Sequence, residues 1–355
     1  MHVAVAGWLL ALGPSGARRR TLALLRAVGP LLERGERVSL LGAPADVGAI
    51  PGVGSHPLDI PARPTWRRVL AERRRLTPAL TELGATVLDL ASLPVPPRLP
   101  CSVCLTIHDT RDLGAQRRRS SQLSAMVLRS GAGRAASLIV PSRFTAAELA
   151  GHLGNPEVEI EVVPGGVEQE FLELPRRPTA DPCFLHVGHL EPRKNLRMLL
   201  HAFARLMVPS ASLVLAGADH GDGPGLRELA MELSIADRVR FEGVVGEDRL
   251  RSLYAAATAV VMPSLHEGFG LPALEGLACG ARVLVSDRGA LPEVVGEAGA
   301  VIPAEDPDAW AAAMRDAAAE PHDGLAQRQR AREQTWATSA SQMLDVWRAI
   351  HRRSC

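Results

Sequence analysis

The sequence predicts an α/β protein of two domains, each an open sheet of parallel strands joined by crossover helices. Three observations carry this expectation. Short apolar runs alternate with helix-period segments from the first residues to beyond residue 300, which is the pattern of βαβ units. A chain of 355 residues is longer than one ordinary core needs. The alternation stops once, at Leu174–Pro182 (LPRRPTADP), a stretch with three prolines and no periodicity, so it reads as an interdomain linker.

In the first domain, residues 1–174, the strands are expected at His2–Ala6, Arg37–Leu41, Thr86–Leu90, Val103–Ile107, Ser137–Val140 and Glu159–Val163. Helices are expected near 17–34, 65–83, 118–131 and 143–153, with Gly29-Pro30 shortening or kinking the first. The linker is 175–182. A second alternation over 183–333 gives strands at Cys183–Val187, Ser212–Ala216, Val239–Glu242, Ala259–Met262, Arg282–Ser286 and Ala300–Ile302. Its helices fall at 195–207, 224–233, 247–256, 271–278 and 307–319, and a last segment, 334–355, follows Trp336. The two Rossmann-like sheets are expected to face each other across a cleft. In such sheets ligands sit beyond the carboxyl ends of the strands.

Composition removes several classes. With 46% apolar and 22% charged residues the chain is globular rather than disordered. A net charge of +1 gives no overall pull towards nucleic acid, and 3% aromatics are too few for base stacking. The charge is uneven, with twenty arginines against ten acids in residues 1–150. Five cysteines (Cys101, Cys104, Cys183, Cys279, Cys355) without framework spacing point to a reducing compartment. Cys101-x-x-Cys104 enters an apolar strand, not the helix start that activates a redox thiolate, and no second pair completes a zinc site. The apolar opening MHVAVAGWLLAL has its arginines after it, at Arg18–Arg20, the wrong polarity for a signal peptide. No apolar run approaches a membrane span. A cytoplasmic protein is expected, with peripheral contact at the inner membrane face left open.

Two segments carry chemistry. In His186–Leu200, HVGHLEPRKNLRMLL, an apolar strand ends at Val187-Gly188 and Arg193-Lys194 stand just before a helix, with Asn195 placed as N-cap. Lys194 is the one lysine of the chain. Two cations at a helix N-terminus oppose its dipole unless an anion lies between them, and a diphosphate would supply one. A Walker loop is excluded, because no Gly-Lys-Ser/Thr exists. The second segment is Ala259–Gly280, AVVMPSLHEGFGLPALEGLACG. Its glycines let backbone N–H groups approach a ligand, and Glu267 and Glu275 are separated by seven residues.

Together these segments resemble the nucleotide-sugar-binding domain of the retaining glycosyltransferases of family 4, which have the GT-B fold. EGFGLPALE matches the E-x7-E element and EPRKN the phosphate clamp; VRFEGVV and PEVVGEAGAVIPAEDPDAW are also similar, as is Trp336 with its following helix, which in the family crosses back onto the first domain. In the first half the match is thinner: TIHD at 106–109, IVPSRFTAAEL at 139–149 and EVVPGGV at 161–167. The resemblance implies that Arg193 and Lys194 hold the donor diphosphate. Glu267 would bind sugar hydroxyls with the amides of Gly268, Phe269 and Gly270, beside Gly188 and Leu271. Glu275 would hold the ribose, and the backbone near Val244 would meet the base. It places His108 facing the sugar from across the cleft. Ser15, Gly16 and Arg18, after the first strand, would belong to a loop near donor and acceptor.

The reaction implied is transfer of a sugar from a nucleotide diphosphate to an acceptor hydroxyl with retention, on one face, with no metal and no cofactor. Asp306-Pro307-Asp308 is explained as a helix start rather than a metal motif. The crowded Arg18–Arg20 hint at an anionic acceptor or an acidic membrane, whereas Arg73–Arg75 and Arg117–Arg119 read as solvated faces. The alternatives are a nucleotide-sugar epimerase on the same fold and a non-catalytic sugar-nucleotide-binding protein. A nicotinamide dehydrogenase is disfavoured, since VAVAGWLLALGPSG lacks G-x-G-x-x-G at the first turn.

Overall fold

The structure is a computed structural model that describes residues 1–13, 15–110, 118–154 and 157–354, with backbone alone at 118–123. Arg117 therefore lies outside the described residues, as do the side chains of Arg118 and Arg119. The chain forms two compact units, Met1–Gly166 with Trp336–Cys355, and Val167–Thr335.

The first unit holds seven strands: β1 His2–Ala6, β2 Arg37–Leu41, β3 Val53–His56, β4 Val87–Leu90, β5 Ser102–Thr106, β6 Ser137–Val140 and β7 Ile160–Val162. All pair in parallel, in the order β3-β2-β1-β4-β5-β6-β7. Edge strand β3 was not visible in the sequence, because VGSH has neither an apolar run nor alternation and is largely exposed. The first helix ends at Val28 and continues as a 3-10 turn, Gly29–Leu31. A Cβ on Gly29 would lie 2.1 Å from the Pro51 carbonyl oxygen, so glycine is required there and the helix stops beside that loop. The C-terminal helix Trp336–Ser354 packs along Gly16–Val28. It buries Trp336, Ala340, Met343, Leu344, Trp347 and Ile350, one stripe at helical spacing. Arg348 fixes it further through a two-pronged bond to Glu36, 2.8 Å on each arm.

The second unit has six parallel strands: β8 Cys183–Val187, β9 Ser212–Ala216, β10 Val239–Gly243, β11 Ala259–Met262, β12 Arg282–Ser286 and β13 Ala300–Ile302. Their order is β10-β9-β8-β11-β12-β13. Alternate residues feed two cores: Leu185, Val214, Val260 and Val283 on one face, Phe184, Leu213, Val261 and Leu284 on the other. Strands buried on both faces read as unbroken apolar runs, which is why the sequence locates them so closely. Three short helices, Gln169–Leu172, Leu291–Val295 and Leu325–Arg332, lack a full helical period of apolar residues and were not expected.

The expected boundary at 174–182 is corrected. The units divide at Gly166–Val167, and the proline-rich stretch is bound to the second of them. Arg176 donates to the Tyr254 and Ala257 carbonyls at 3.1 and 2.7 Å, and the Arg177 amide to the Ala255 carbonyl at 2.9 Å. Proline removed periodicity there without removing contacts. Among the described residues no helix is long and apolar enough to cross a membrane.

Candidate functional site

In the second sheet the chain runs from β8 outward through β9 to β10, then returns to lay β11 on the other side of β8. The strand order reverses between β8 and β11, and ligands of open α/β sheets bind beyond the carboxyl ends of the strands at such a point. The segments leaving those two ends are 188–195 and 263–270, so topology alone brings the two sequence motifs together.

Their side chains meet. Lys194, 5% exposed, donates its Nζ to Glu267 Oε1. Arg193 Nη1 donates to Glu267 Oε2 at 3.2 Å and to the His266 carbonyl at 3.0 Å, while Nη2 pairs with the Glu191 carboxylate at 2.7 Å. The Leu265 amide donates to the Arg193 carbonyl at 2.8 Å, closing one loop on the other. Burial by itself would raise the Glu267 carboxyl. The Lys194 and Arg193 charges outweigh it and hold the group at about 2, so the site is a carboxylate between two cations.

Asn195 occupies the N-cap position but does not cap. At φ +56° it is left-handed, and its side chain donates to the Pro263 and Ala304 carbonyls at 3.2 and 2.8 Å instead. That corrects its expected role: the amide tethers the end of the cation turn to the segment leaving β11. Pro192–Lys194 form a single 3-10 turn between β8 and the helix Leu196–Arg205.

Glycines at 270 and 289 shape the Glu267–Gly270 loop and what packs on it. Gly270 has φ +104°, and a Cβ there would strike Leu291 Cδ2 at 2.6 Å. Gly289, at φ +66°, packs so tightly on Glu267 that a Cβ would lie 2.6 Å from its amide nitrogen. Gly268, Phe269 and Leu271 follow in the same loop and helix start, and Phe269 is anchored in the core. Glu275 is 1% exposed and accepts from the Tyr254 hydroxyl at 2.7 Å. Of the four charged groups expected to converge, Arg193, Lys194 and Glu267 are in mutual contact and Glu275 is directed to Tyr254. Val244 stands 66% exposed at the end of β10.

In the first unit Ser15 caps the Gly16–Val28 helix, accepting from the Arg18 amide at 3.1 Å. The cationic Arg18–Arg20 face expected there is not formed. Arg18 donates to the Leu10 carbonyl and pairs with Asp46 at 2.9 Å. Arg20 is turned inward, 5% exposed, donating to the Val163 carbonyl at 2.7 Å. His108 follows β5 and lines a cavity of about 30 Å³ with Arg20, Asp89, Thr106 and Trp347. Burial, and then the Arg20 charge, push its imidazole down to about 3, so it is neutral near pH 7. Asp89 accepts from Thr106 at 2.8 Å and from the Trp347 indole at 3.2 Å. Burial pushes the Cys101 thiol up to about 11 and the Cys104 thiol well above its ordinary value, so this pair is chemically quiet. Asp306 accepts from the Asp308 and Ala309 amides at 3.0 Å, as a helix cap does. Among the described residues no group of three or more His, Cys, Asp or Glu is placed to hold a metal.

Sequence reading passed over Glu191, Tyr254 and His186. The last was detectable, as a lone polar residue inside an otherwise apolar strand that leads straight into the cation turn.

Comparison with known proteins identifies the family and the fold. Residues 168–335 match the family model described as glycosyl transferases group 1, and residues 14–171 match that of glycosyltransferase family 4. The O-antigen chain mannosyltransferase B of Escherichia coli is 41% identical over 131 residues, 36% of this chain and 34% of that protein. A D-inositol 3-phosphate glycosyltransferase of Nocardiopsis dassonvillei is 32% identical over 237 residues, 60% of this chain and 55% of the relative. The chain thus aligns with well under two thirds of these proteins' lengths. Among solved structures, sucrose-phosphate synthase from Thermosynechococcus elongatus superposes with a TM-score of 0.83 at 22% identity, covering 99% of this chain and 100% of the other. Anabaena HepE, solved in complex with UDP and glucose, gives 0.72 at 14% identity, covering 98% and 100%. Two parallel sheets in the GT-B manner, with family models spanning nearly the whole chain between them, establish that this protein belongs to the group 1, family 4 glycosyltransferases.

Proposed function

We propose that the protein moves a sugar from a nucleoside-diphosphate sugar to an acceptor hydroxyl, with retention and without a metal. The observation that carries this reading is the buried contact of Lys194 and Arg193 with Glu267 at the strand-order reversal. The two cations are matched by two carboxylates, Glu267 and Glu191, and these are partners that an anion can exchange. A diphosphate arriving there would take over the cations and free Glu267 to accept sugar hydroxyls. Lys194 and Arg193 would then offset the charge that builds on the leaving phosphate, the task a metal performs elsewhere. Glu275, oriented by Tyr254, is the proposed ribose contact and the Val244 backbone the proposed base contact. His108, neutral, is proposed as the first unit's hydrogen-bonding contribution to the sugar. Ser15, Gly16 and Arg18 are assigned to the acceptor loop. HepE's complex with UDP and glucose supports the donor class.

The test is a thermal-shift screen of nucleoside diphosphates and their sugars, followed by transfer assays with the stabilising donor. Retention requires product and donor sugars of the same anomeric configuration by NMR, and metal independence requires full rate in EDTA. Donor incubated without acceptor should hydrolyse slowly; appearance of an isomerised sugar nucleotide would instead make this an epimerase.

A peripheral contact with an anionic membrane is supported by one surface. On the helix Thr65–Leu83, Trp66 and Leu70 are 63% and 42% exposed, and Arg67, Arg73 and Arg74 lie on the same arc. Arg68 and Arg75 pair with Glu72 and Asp59, whereas no such pair is found for those three among the described residues. Basic residues beside an exposed tryptophan suit a headgroup layer. Sedimentation with phosphatidylglycerol vesicles, lost in Trp66→Ala and absent with phosphatidylcholine, tests it.

A further inference from the structure

His186 lies in β8 with no exposed surface, two residues before Gly188. Its Nδ1 is 3.0 Å from the Val261 carbonyl oxygen. A carbonyl can only accept, so Nδ1 carries the proton and Nε2 presents a bare lone pair. That Nε2 is buried and has no hydrogen-bond partner. Leaving such an acceptor unmade inside a protein carries a desolvation penalty, and an all-apolar strand would avoid it. A Cβ built on Gly188 would lie 3.2 Å from His186 Nε2 and 3.3 Å from Lys194 Nζ, so the two nitrogens flank the same bare glycine.

Lys194 has three N–H donors, one of which meets Glu267. We propose that His186 is a positioning residue for Lys194, its Nε2 accepting an ammonium N–H once donor diphosphate binds and Glu267 turns to the sugar. The inference deepens the donor-site reading and rests on it. A neutral acceptor is what the task calls for. A carboxylate in that place would cancel the charge the leaving phosphate needs, and an apolar residue would leave the four-carbon stem without a direction. Burial, and then the neighbouring Lys194 charge, hold the His186 imidazole down at about 4, so it stays an acceptor across the physiological range. Gly188 fits the same scheme, since a Cβ there would crowd both nitrogens.

The experiment combines kinetics with NMR. A hydrogen bond to a charged group is worth enough that His186→Phe should lower kcat about tenfold or more, with donor KM changed by less than about threefold. His186→Gln, whose amide oxygen reaches the Nε2 position, should recover most of the rate, and His186→Asn, which reaches only Nδ1, should not. In wild-type protein carrying 15N-histidine, UDP or GDP should move the unprotonated Nε2 resonance towards its hydrogen-bonded value, and in Lys194→Ala it should stay put. The NMR arm decides even if His186→Phe fails to fold. Wild-type rates in His186→Phe, or an Nε2 resonance indifferent to bound diphosphate, overturn the assignment while leaving the donor site intact. If neither diphosphate stabilises the wild type and no donor is turned over, the donor-site reading itself falls.

Discussion

Lys194 and Glu267, 73 residues apart in sequence, meet as a buried ion pair where the second sheet reverses its strand order. Removing Lys194 leaves Glu267 with Arg193 as its remaining cation, and breaking a buried pair costs up to about 3–5 kcal/mol. Lys194→Ala should therefore lower stability, and should also reduce kcat by roughly a hundredfold, the usual loss for one group that stabilises developing charge. The two effects separate in a double variant. Lys194→Met with Glu267→Gln removes both charges, so denaturation should show most of the stability restored while activity stays absent. Recovery of activity in that double variant would refute the catalytic role of the cation.

Gly289 tests whether the carboxylate's position is set by the loop packed on it. Its φ of +66° and the 2.6 Å separation from the Glu267 amide leave no room for a methyl group. Gly289→Ala should lose at least the 1–2 kcal/mol of left-handed backbone strain, lowering Tm by about 2–4 °C per kcal/mol, with a raised donor KM. Gly246→Ala is the control, having nothing within 4 Å of its Cβ position, and should stay within about 0.5 kcal/mol of wild type. Equal melting of the two variants would mean that the loop relaxes freely around Glu267.

Much of this was legible in the sequence because parallel strands buried on both faces leave unbroken apolar runs. Cys183–Val187, Ser212–Ala216 and Ala259–Met262 fall where periodicity puts them. Arg193, Lys194 and Glu267 stood out because charge at the end of such a run has few structural uses. Features that depend on contacts between distant segments were illegible. Val53–His56 is a strand by virtue of pairing with β2 and has no pattern of its own. Asn195 gave up its cap for two carbonyls about 70 and 110 residues away. Arg20 looked like a surface cation in a triplet, yet it points inward to the Val163 carbonyl, 143 residues on.

Trp347 joins the C-terminal helix to β4 through Asp89, whose carboxylate is buried and raised by that burial. Trp347→Phe keeps the apolar packing and removes the indole donor, leaving Thr106 to satisfy the carboxylate. The expected loss is about 1–3 kcal/mol, read by urea denaturation. Because Trp347 and His108 line one cavity, the variant should also broaden or shift the His108 resonances. An unchanged midpoint would show that the carboxylate does not need this donor.

Three groups of the two candidate sites, each held below its ordinary value, contribute acid sensitivity, while Asp89 and Glu72, raised by burial, act with the opposite sign. His186 sits at about 4 and His108 at about 3 against the usual 6.5, both chiefly through burial. An unfolded chain takes up these protons more readily than the folded one, so stability is complete above pH 6.5 and declines as pH falls towards 4 and 3. Glu267, at about 2 against 4.5, also binds its proton more readily when unfolded, and its share is lost between pH 4.5 and 2. All three slopes have the same sign, and each full proton contributes about 1.4 kcal/mol per pH unit. The share of each group is read by comparing denaturation midpoints of wild type and variant from pH 8 to 3. His186→Phe should flatten the curve between pH 6.5 and 4 and leave the lower limb unchanged. Glu267→Gln should flatten only the limb below pH 4.5. Parallel curves for wild type and His186→Phe above pH 4 would mean that the histidine is not held neutral by the fold.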